Sequence, residues 1–246
     1  MLVRVGSRLV TNRLRNTLSA FYERNTNLSR LAEPLEILRA GWPRIWISVR
    51  LNSRTAENQN EFLIAVLRRI FQTYPKATIV FDGFSYPIGF FEDERTQPFR
   101  ADFIQRESVT SEAVTALIQR ASSELGHAVG SRLCSISGLN LAEAIHIGGN
   151  CNYYICHAGT LQHKIAWFHN IPGFIHAPVQ ARMQKTWYAG QVENGIGPDI
   201  LPANLSRETG PSPNKRNVSR NQNYEITDLE ESANLVLQSM QTHLAV

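Results

Sequence analysis

The chain has 246 residues, of which 43% are hydrophobic, and carries a formal net charge of +4. This length and apolar content suffice for one substantial α/β domain with flanking segments. The positive charge is weak and dispersed, so it gives no support for nucleic-acid binding and instead fits the binding of a small anionic molecule.

Residues 1–43 form a predicted helical segment. Apolar residues recur at helical spacing between residues 8 and 40, and Gly41-Trp42-Pro43 ends the pattern. The basic start of the chain lacks the apolar core of a signal peptide, and no apolar run reaches the roughly 18 residues of a membrane span. We therefore expect a cytoplasmic protein with at most peripheral contact to the inner face of a membrane.

Residues 44–189 alternate between predicted strands and helices. The predicted strand at 77–81 (ATIVF) is wholly apolar, without polar alternation, which is typical of a parallel sheet covered on both faces. The pattern predicts a Rossmann-like, doubly wound parallel sheet with helices on both faces. Predicted strands cover 44–51, 77–81, 133–136, 151–156 and 173–176, and predicted helices cover 57–74, 110–125 and 139–147, with a short helix after the fourth strand.

The remaining segments are read from composition and capping residues. Residues 84–108 are predicted to be a long irregular loop, after which Thr110 or Ser111 caps a helix. Residues 190–223 are rich in Gly, Pro, Asn and Ser, which predicts a loop or extended tail. A final helix from Asp228 to about His243 is expected to pack back onto the domain. The chain has three cysteines, an odd number, so we expect buried, reduced thiols.

The stretch Asn150–Pro178 carries the strongest functional signal. It predicts a buried strand, a His-Ala-Gly-Thr turn and a helix that begins at the turn. The first N–H groups of a helix have no partner within it and lie at the positive end of its dipole, so Gly159, Thr160 and Lys164 form a predicted phosphate site. The alternative is an ordinary helix cap followed by a surface lysine.

Other candidates follow from the rule that ligands bind at the carboxyl ends of parallel strands. Arg50, with Arg54 nearby, is suited to a diphosphate. His157 is a candidate acid or base, and Asp82 is a candidate catalytic group, although each also fits a purely structural role. Glu143 is suited to accept hydrogen bonds from ribose hydroxyls or to lie on a helix surface.

A metal site is not expected from the histidine spacing. Four histidines in this part of the chain are 6, 6 and 7 residues apart, which does not match zinc-binding motifs. No cofactor is expected, because the predicted phosphate belongs to a substrate.

The segments IWISVRLNSRT, IVFDGFSYP and YYICHAGTLQHKIAWFHNIPGFIH resemble, in order and spacing, part of a GT-B-type glycosyltransferase. The likeness is to the C-terminal, nucleotide-sugar-binding half in bacterial enzymes that build capsule or surface polysaccharide, and it covers about residues 44–180. It implies a metal-independent nucleoside-diphosphate sugar site. The turn at Gly159 and Lys164 would hold the diphosphate, Arg50 would neutralise the leaving group, and Glu143 would lie near the ribose or base.

The chain departs from that family in one respect. Enzymes of this type have two halves of similar size, whereas about 43 residues precede the predicted sheet here. The resemblance then implies that residues 1–43 are a remnant of, or linker to, an acceptor-binding half, and we expect a partner domain or chain to supply that half. The expected function is transfer of a sugar from a nucleotide sugar to a glycan acceptor; the alternative is a catalytically silent nucleotide-binding or scaffold module.

Overall fold

The computed structural model describes residues 10–51, 54–178, 185–211 and 222–244. Six parallel strands form its main sheet, and two further strands form an antiparallel hairpin. Within these ranges, none of the helices combines the length and the apolar character needed to cross a bilayer.

The main sheet has the order β3-β2-β1-β4-β5-β6. The chain first builds the sheet outward from β1 and then returns to β1 and builds in the other direction, so the order reverses between β1 and β4. The strands are β1 Arg44–Ser48, β2 Thr78–Asp82, β3 Leu133–Ser135, β4 Tyr153–His157, β5 Gly173–His176 and β6 Asp199–Ile200.

Helices cover both faces of the sheet, because alternate side chains of the buried strands point in opposite directions. The helices are α1 Asn12–Arg24, α2 Ala32–Arg39, α3 Gln59–Thr73, α4 Arg100–Leu125, α5 His127–Gly130, α6 Leu141–Gly148, α7 Thr160–His169, α8 Lys185–Gly190 and α9 Leu229–Leu244. Ile45 and Ile47 of β1 pack with α3, α4 and α9 in one apolar cluster. Trp46 packs with α2, α6 and α7 in a second cluster. This arrangement confirms the predicted Rossmann-like doubly wound fold.

The predicted loop at 84–108 is wrong over its second half, because α4 begins at Arg100. A short 3₁₀ helix, Glu94–Phe99, leads into it. Thr110 does not cap a helix but lies inside one, where its hydroxyl donates to the carbonyl of Arg106 at 2.7 Å. The early turns of α4 are held by Phe103, whose ring stacks on that of Phe90, a long-range contact that local helical periodicity does not reveal.

The predicted tail at 190–223 is also wrong. Strand β6 extends the main sheet beside β5, and β7 (Ser206–Pro211) pairs with β8 (Gln222–Ile226) as a hairpin. A two-residue strand is too short to show a periodicity, and only its neighbour in the sheet defines it. The final helix α9 lies where the sequence predicts it, and its first turn is capped by Asp228, which accepts from the N–H of Glu231 at 2.9 Å.

The cysteine prediction is confirmed. All three thiols are free and buried. Burial raises the pKa of Cys134 to about 12, so this sulfur stays protonated at neutral pH and is a poor nucleophile.

Candidate functional site

The candidate site lies at the carboxyl edge of the sheet, where β1 and β4 are neighbours. The strand order reverses between these two strands, and the loops that follow them lead to helices on opposite faces. Doubly wound folds bind their ligands at such a reversal of strand order. Arg50 follows β1 and Gly159 follows β4.

Gly159 forms the N-terminal cap of α7 and has φ 133° and ψ −154°. A Cβ at this position would lie 3.2 Å from Nη1 of Arg50 and 3.4 Å from Nη2 of Arg54. The glycine thus lets two guanidinium groups approach the start of a helix, where the unpaired amides and the helix dipole are already positive. We call Arg50, Arg54 and Gly159 together the anion corner.

Arg50 is held firmly in the anion corner. Its main chain exchanges two hydrogen bonds with the buried side chain of Gln59, at 2.9 Å and 3.3 Å, and its Nη1 donates to the carbonyl of Ala158 at 3.4 Å. Burial, and secondly the charge of Arg54, lower the pKa of Arg50 to about 10. The group stays charged at pH 7, and an anion bound there would relieve the repulsion between the two guanidiniums.

Arg54 comes from the loop between β1 and α3. Its backbone has φ 57°, a left-handed conformation that few non-glycine residues adopt. Its Nε is buried, and none of the residues that the structure describes offers it a hydrogen-bond partner. A positive φ and an unpaired buried donor both cost free energy, and such costs are concentrated at functional sites.

His157 and His176 lie next to each other at the ends of β4 and β5, with ring centroids 4.2 Å apart. Nδ1 of His157 is 3.3 Å from Oγ of Ser48. Nε2 of both histidines is buried, with no hydrogen-bond partner among the described residues. Burial lowers the pKa of His176 to about 3. Burial, then His176 and Arg50, lower the pKa of His157 far below its usual range, so both imidazoles are neutral.

The structure places Asp82 and Lys164 against each other rather than in the anion corner. Nζ of Lys164 lies 3.0 Å and 2.9 Å from the two carboxylate oxygens of Asp82, and it also donates to Oγ of Ser85 at 2.9 Å. The Asp82 carboxylate is fully buried, and the Lys164 side chain is 12% exposed. The predicted phosphate contact of Lys164 and the predicted catalytic role of Asp82 therefore compete with a buried ion pair.

Glu143 also has a structural role in this fold. Its carboxylate accepts from the main-chain N–H of Asn140 at 2.8 Å and completes a capping box at the start of α6. It forms an ion pair with Arg30 at 3.1 Å. The Glu143 side chain is only 1% exposed, so its carboxylate oxygens are not accessible to the ribose that the sequence predicts it to contact.

Of the remaining predicted residues, Thr160 opens α7 as expected. Across the part of the chain that the structure describes, no three metal-binding side chains come together. Sequence reasoning missed Tyr224, which directly follows the predicted tail at 190–223, and gave Arg54 less weight than Arg50. The sequence marks Arg54 only by its place in a polar loop after a strand.

No protein-family model matches the chain, and no curated protein matches it. Several solved structures do. The E. coli ADP-heptose LPS heptosyltransferase II is 11% identical, with a TM-score of 0.48 and coverage of 87% of this chain and 51% of that one. E. coli heptosyltransferase WaaC with ADP is 10% identical, with a TM-score of 0.44 and coverage of 83% and 45%.

A UDP co-structure of MnaA from S. aureus is 13% identical, with a TM-score of 0.39 and coverage of 66% of this chain and 35% of that one. The chain thus spans between 35% and 51% of the length of these structures. Likeness at these identities and TM-scores carries no argument about substrate or activity.

Proposed function

We propose that the chain binds a nucleoside-diphosphate sugar in the anion corner and transfers the sugar to a glycan acceptor in the synthesis of a surface polysaccharide in the cytoplasm. The observation that carries the proposal is the convergence of Arg50 and Arg54 on Gly159 at the N terminus of α7. It combines two guanidiniums with unpaired helix amides at the switch point of the sheet.

The chemistry of the corner suits a diphosphate better than a single carboxylate. Each guanidinium can pair with two oxygens of one phosphoryl group. The main-chain N–H groups at the start of α7 can donate hydrogen bonds to further phosphate oxygens. In glycosyl transfer, negative charge grows on the diphosphate as the sugar leaves. Fixed cations at this position would stabilise that charge in the transition state without moving.

The proposal assigns this electrostatic role to Arg50, Arg54 and the amides that follow Gly159. Lys164 is given no phosphate contact, because its ammonium is already bonded to Asp82 and Ser85. His157 is 1% exposed, so it supports the corner from inside the protein. The acceptor would be held by a partner domain or chain at the carboxyl edge of the sheet.

Binding is tested by isothermal titration of the purified chain with UDP, ADP, GDP, CDP, CMP and dTDP. We expect one of the diphosphates to bind. Arg54→Met should then weaken its affinity roughly 10- to 150-fold, the equivalent of about 1.5–3 kcal/mol for hydrogen bonds to a charged group. Arg39→Met is the matched control, since Arg39 is an exposed arginine in the last turn of α2.

The proposal fails if a folded wild-type chain binds none of these nucleotides. It also fails if Arg54→Met and Arg39→Met bind the ligand equally well, because the affinity would then not depend on the anion corner.

One observation favours a second candidate function, a catalytically silent module that holds a nucleotide. Both side chains predicted to act in catalysis are inaccessible, since Asp82 is 0% and His157 is 1% exposed. A radiolabelled donor sugar separates the two functions. Cleavage or transfer of the sugar, by the chain alone or with an acceptor-binding partner, supports the transferase, whereas binding without turnover in both settings supports the silent module.

A further inference from the structure

We propose that Tyr224 is a positioning residue for the anion corner, holding His176 with its side chain and the loop of Arg54 with its main chain. This inference rests on the proposed function, because it concerns how the same binding site is kept in shape. Tyr224 lies on β8, which begins at the end of the predicted tail and continues past it.

The side chain of Tyr224 is fully buried, and its hydroxyl lies 2.7 Å from Nδ1 of His176. The hydroxyl can donate to Nδ1 or accept from it, and in either case this bond holds the orientation of the ring and couples the position of the imidazole proton to the phenol. His176 in turn contacts His157 at the end of β4, next to Gly159. The phenol of Tyr224 is therefore linked to His157, the buried ring beside the anion corner, through the ring of His176.

The main chain of Tyr224 pairs with the loop that carries Arg54. Its carbonyl accepts from the N–H of Glu57 at 2.8 Å, and its N–H donates to the carbonyl of Thr55 at 3.1 Å. Next to it, Oδ1 of Asn223 accepts from the N–H of Thr55 at 3.2 Å. These bonds begin one residue after Arg54, so they fix the backbone from which its guanidinium extends toward Gly159.

One residue of the hairpin thus acts on the loop that carries Arg54 and on the buried histidines next to the corner. Simple packing would need only the ring of Tyr224, whereas positioning also needs the hydroxyl, and this difference makes the proposal testable.

The test compares Tyr224→Phe with Tyr153→Phe. Tyr153 is the matched control because it too is fully buried and its hydroxyl bonds to another side chain, Ser239, on the α9 side of the sheet. Each variant loses one buried hydroxyl contact and keeps its ring. Titrations with UDP, ADP and inorganic pyrophosphate give the affinities, and ¹⁵N NMR of the imidazole nitrogens gives the tautomer of His176.

We expect only Tyr224→Phe to weaken diphosphate binding, by roughly two- to tenfold, the range that one neutral buried hydrogen bond spans. Only this variant should shift the ¹⁵N resonances of His176. Unchanged affinity and unchanged resonances in Tyr224→Phe would overturn the proposal, as would an equal loss of affinity in Tyr153→Phe.

If Tyr224→Phe does not fold, Asn223→Ala takes its place, since Asn223 is partly exposed and its side chain bonds the Arg54 loop. It should weaken binding and leave the His176 resonances in place; unchanged binding would overturn the proposal. A wild-type chain that binds none of the probes would refute the proposed function. The His176 resonances are read without ligand, so their comparison between wild type and Tyr224→Phe still decides whether Tyr224 fixes His176.

Discussion

The buried pair between Asp82 and Lys164 yields a prediction whose size follows from the geometry. The two carboxylate oxygens of Asp82 lie 3.0 Å and 2.9 Å from Nζ of Lys164. Exposure differs between the partners, since the carboxylate is 0% and the lysine side chain 12% exposed. Removing the lysine should therefore cost more than removing the carboxylate, because only the ammonium can reach water.

Lys164→Met leaves an uncompensated carboxylate inside the protein, which costs about 3–5 kcal/mol of the free energy of unfolding. Asp82→Asn removes the buried charge and leaves an ammonium near solvent, so we expect a smaller loss of about 1–3 kcal/mol. In the double variant no charge remains buried, and it should be more stable than Lys164→Met alone. For a chain of this size the lysine variant should melt roughly 6–20 °C below wild type.

The assay is urea unfolding of the wild type, both single variants and the double variant, followed by titration of each with the diphosphate that binds. The unfolding data give the coupling free energy of the pair, which we expect to exceed about 1 kcal/mol. Diphosphate affinity should change little in any variant that stays folded, because neither side chain belongs to the anion corner.

The reasoning is refuted if Lys164→Met unfolds like wild type and has lost diphosphate binding. That outcome would make Lys164 a phosphate ligand, as the sequence pattern predicts. It would also show that the ion pair does not contribute to the free energy of unfolding.

Two further predictions concern Gly159 and the buried His176. Gly159→Ala should weaken diphosphate binding and lower the free energy of unfolding by about 1–3 kcal/mol, because φ is +133° and the new Cβ would lie 3.2 Å from Nη1 of Arg50. The control is Gly190→Ala, where the new Cβ meets no described atom within 4 Å. Equal affinity and stability in the two variants would contradict this explanation. Burial lowers the pKa of His176 to about 3, so between about pH 6.5 and pH 3 the unfolded chain binds more protons than the folded one, and stability falls as the pH falls. From pH 7.5 to pH 5 this histidine should remove about 2 kcal/mol, measured by urea unfolding at both values, and a His176→Gln variant with the same pH dependence as wild type would rule this out.

The fold class and the centre of the site could be predicted from the sequence because both leave local signals. Apolar strands that alternate with amphipathic helices specify a parallel sheet with two covered faces. A small-residue turn between a strand and a helix marks Gly159 as a place of close approach. Arg50 could be found because it lies at the carboxyl end of the predicted first strand.

Only the tertiary structure decided which polar groups meet in the site and which pair elsewhere. Asp82 and Lys164 are 82 residues apart in sequence. The sequence predicts a catalytic role for the first and a phosphate contact for the second, whereas the fold pairs them with each other. Tyr224 and His176 are separated by 48 residues, and a tyrosine in a segment rich in polar residues gives no sign of its buried partner.

What the sequence determined by itself is therefore the five central strands, most of the helices between them, and the cationic, glycine-containing edge of the sheet. A single chain specifies these through short-range rules of periodicity, capping and chain reversal. The strand β6, the early turns of α4 and the partners of each charge depend on contacts between distant segments. Those contacts form only when the sheet is assembled, and for that reason only the folded structure could show that Arg54, rather than Lys164, faces Gly159.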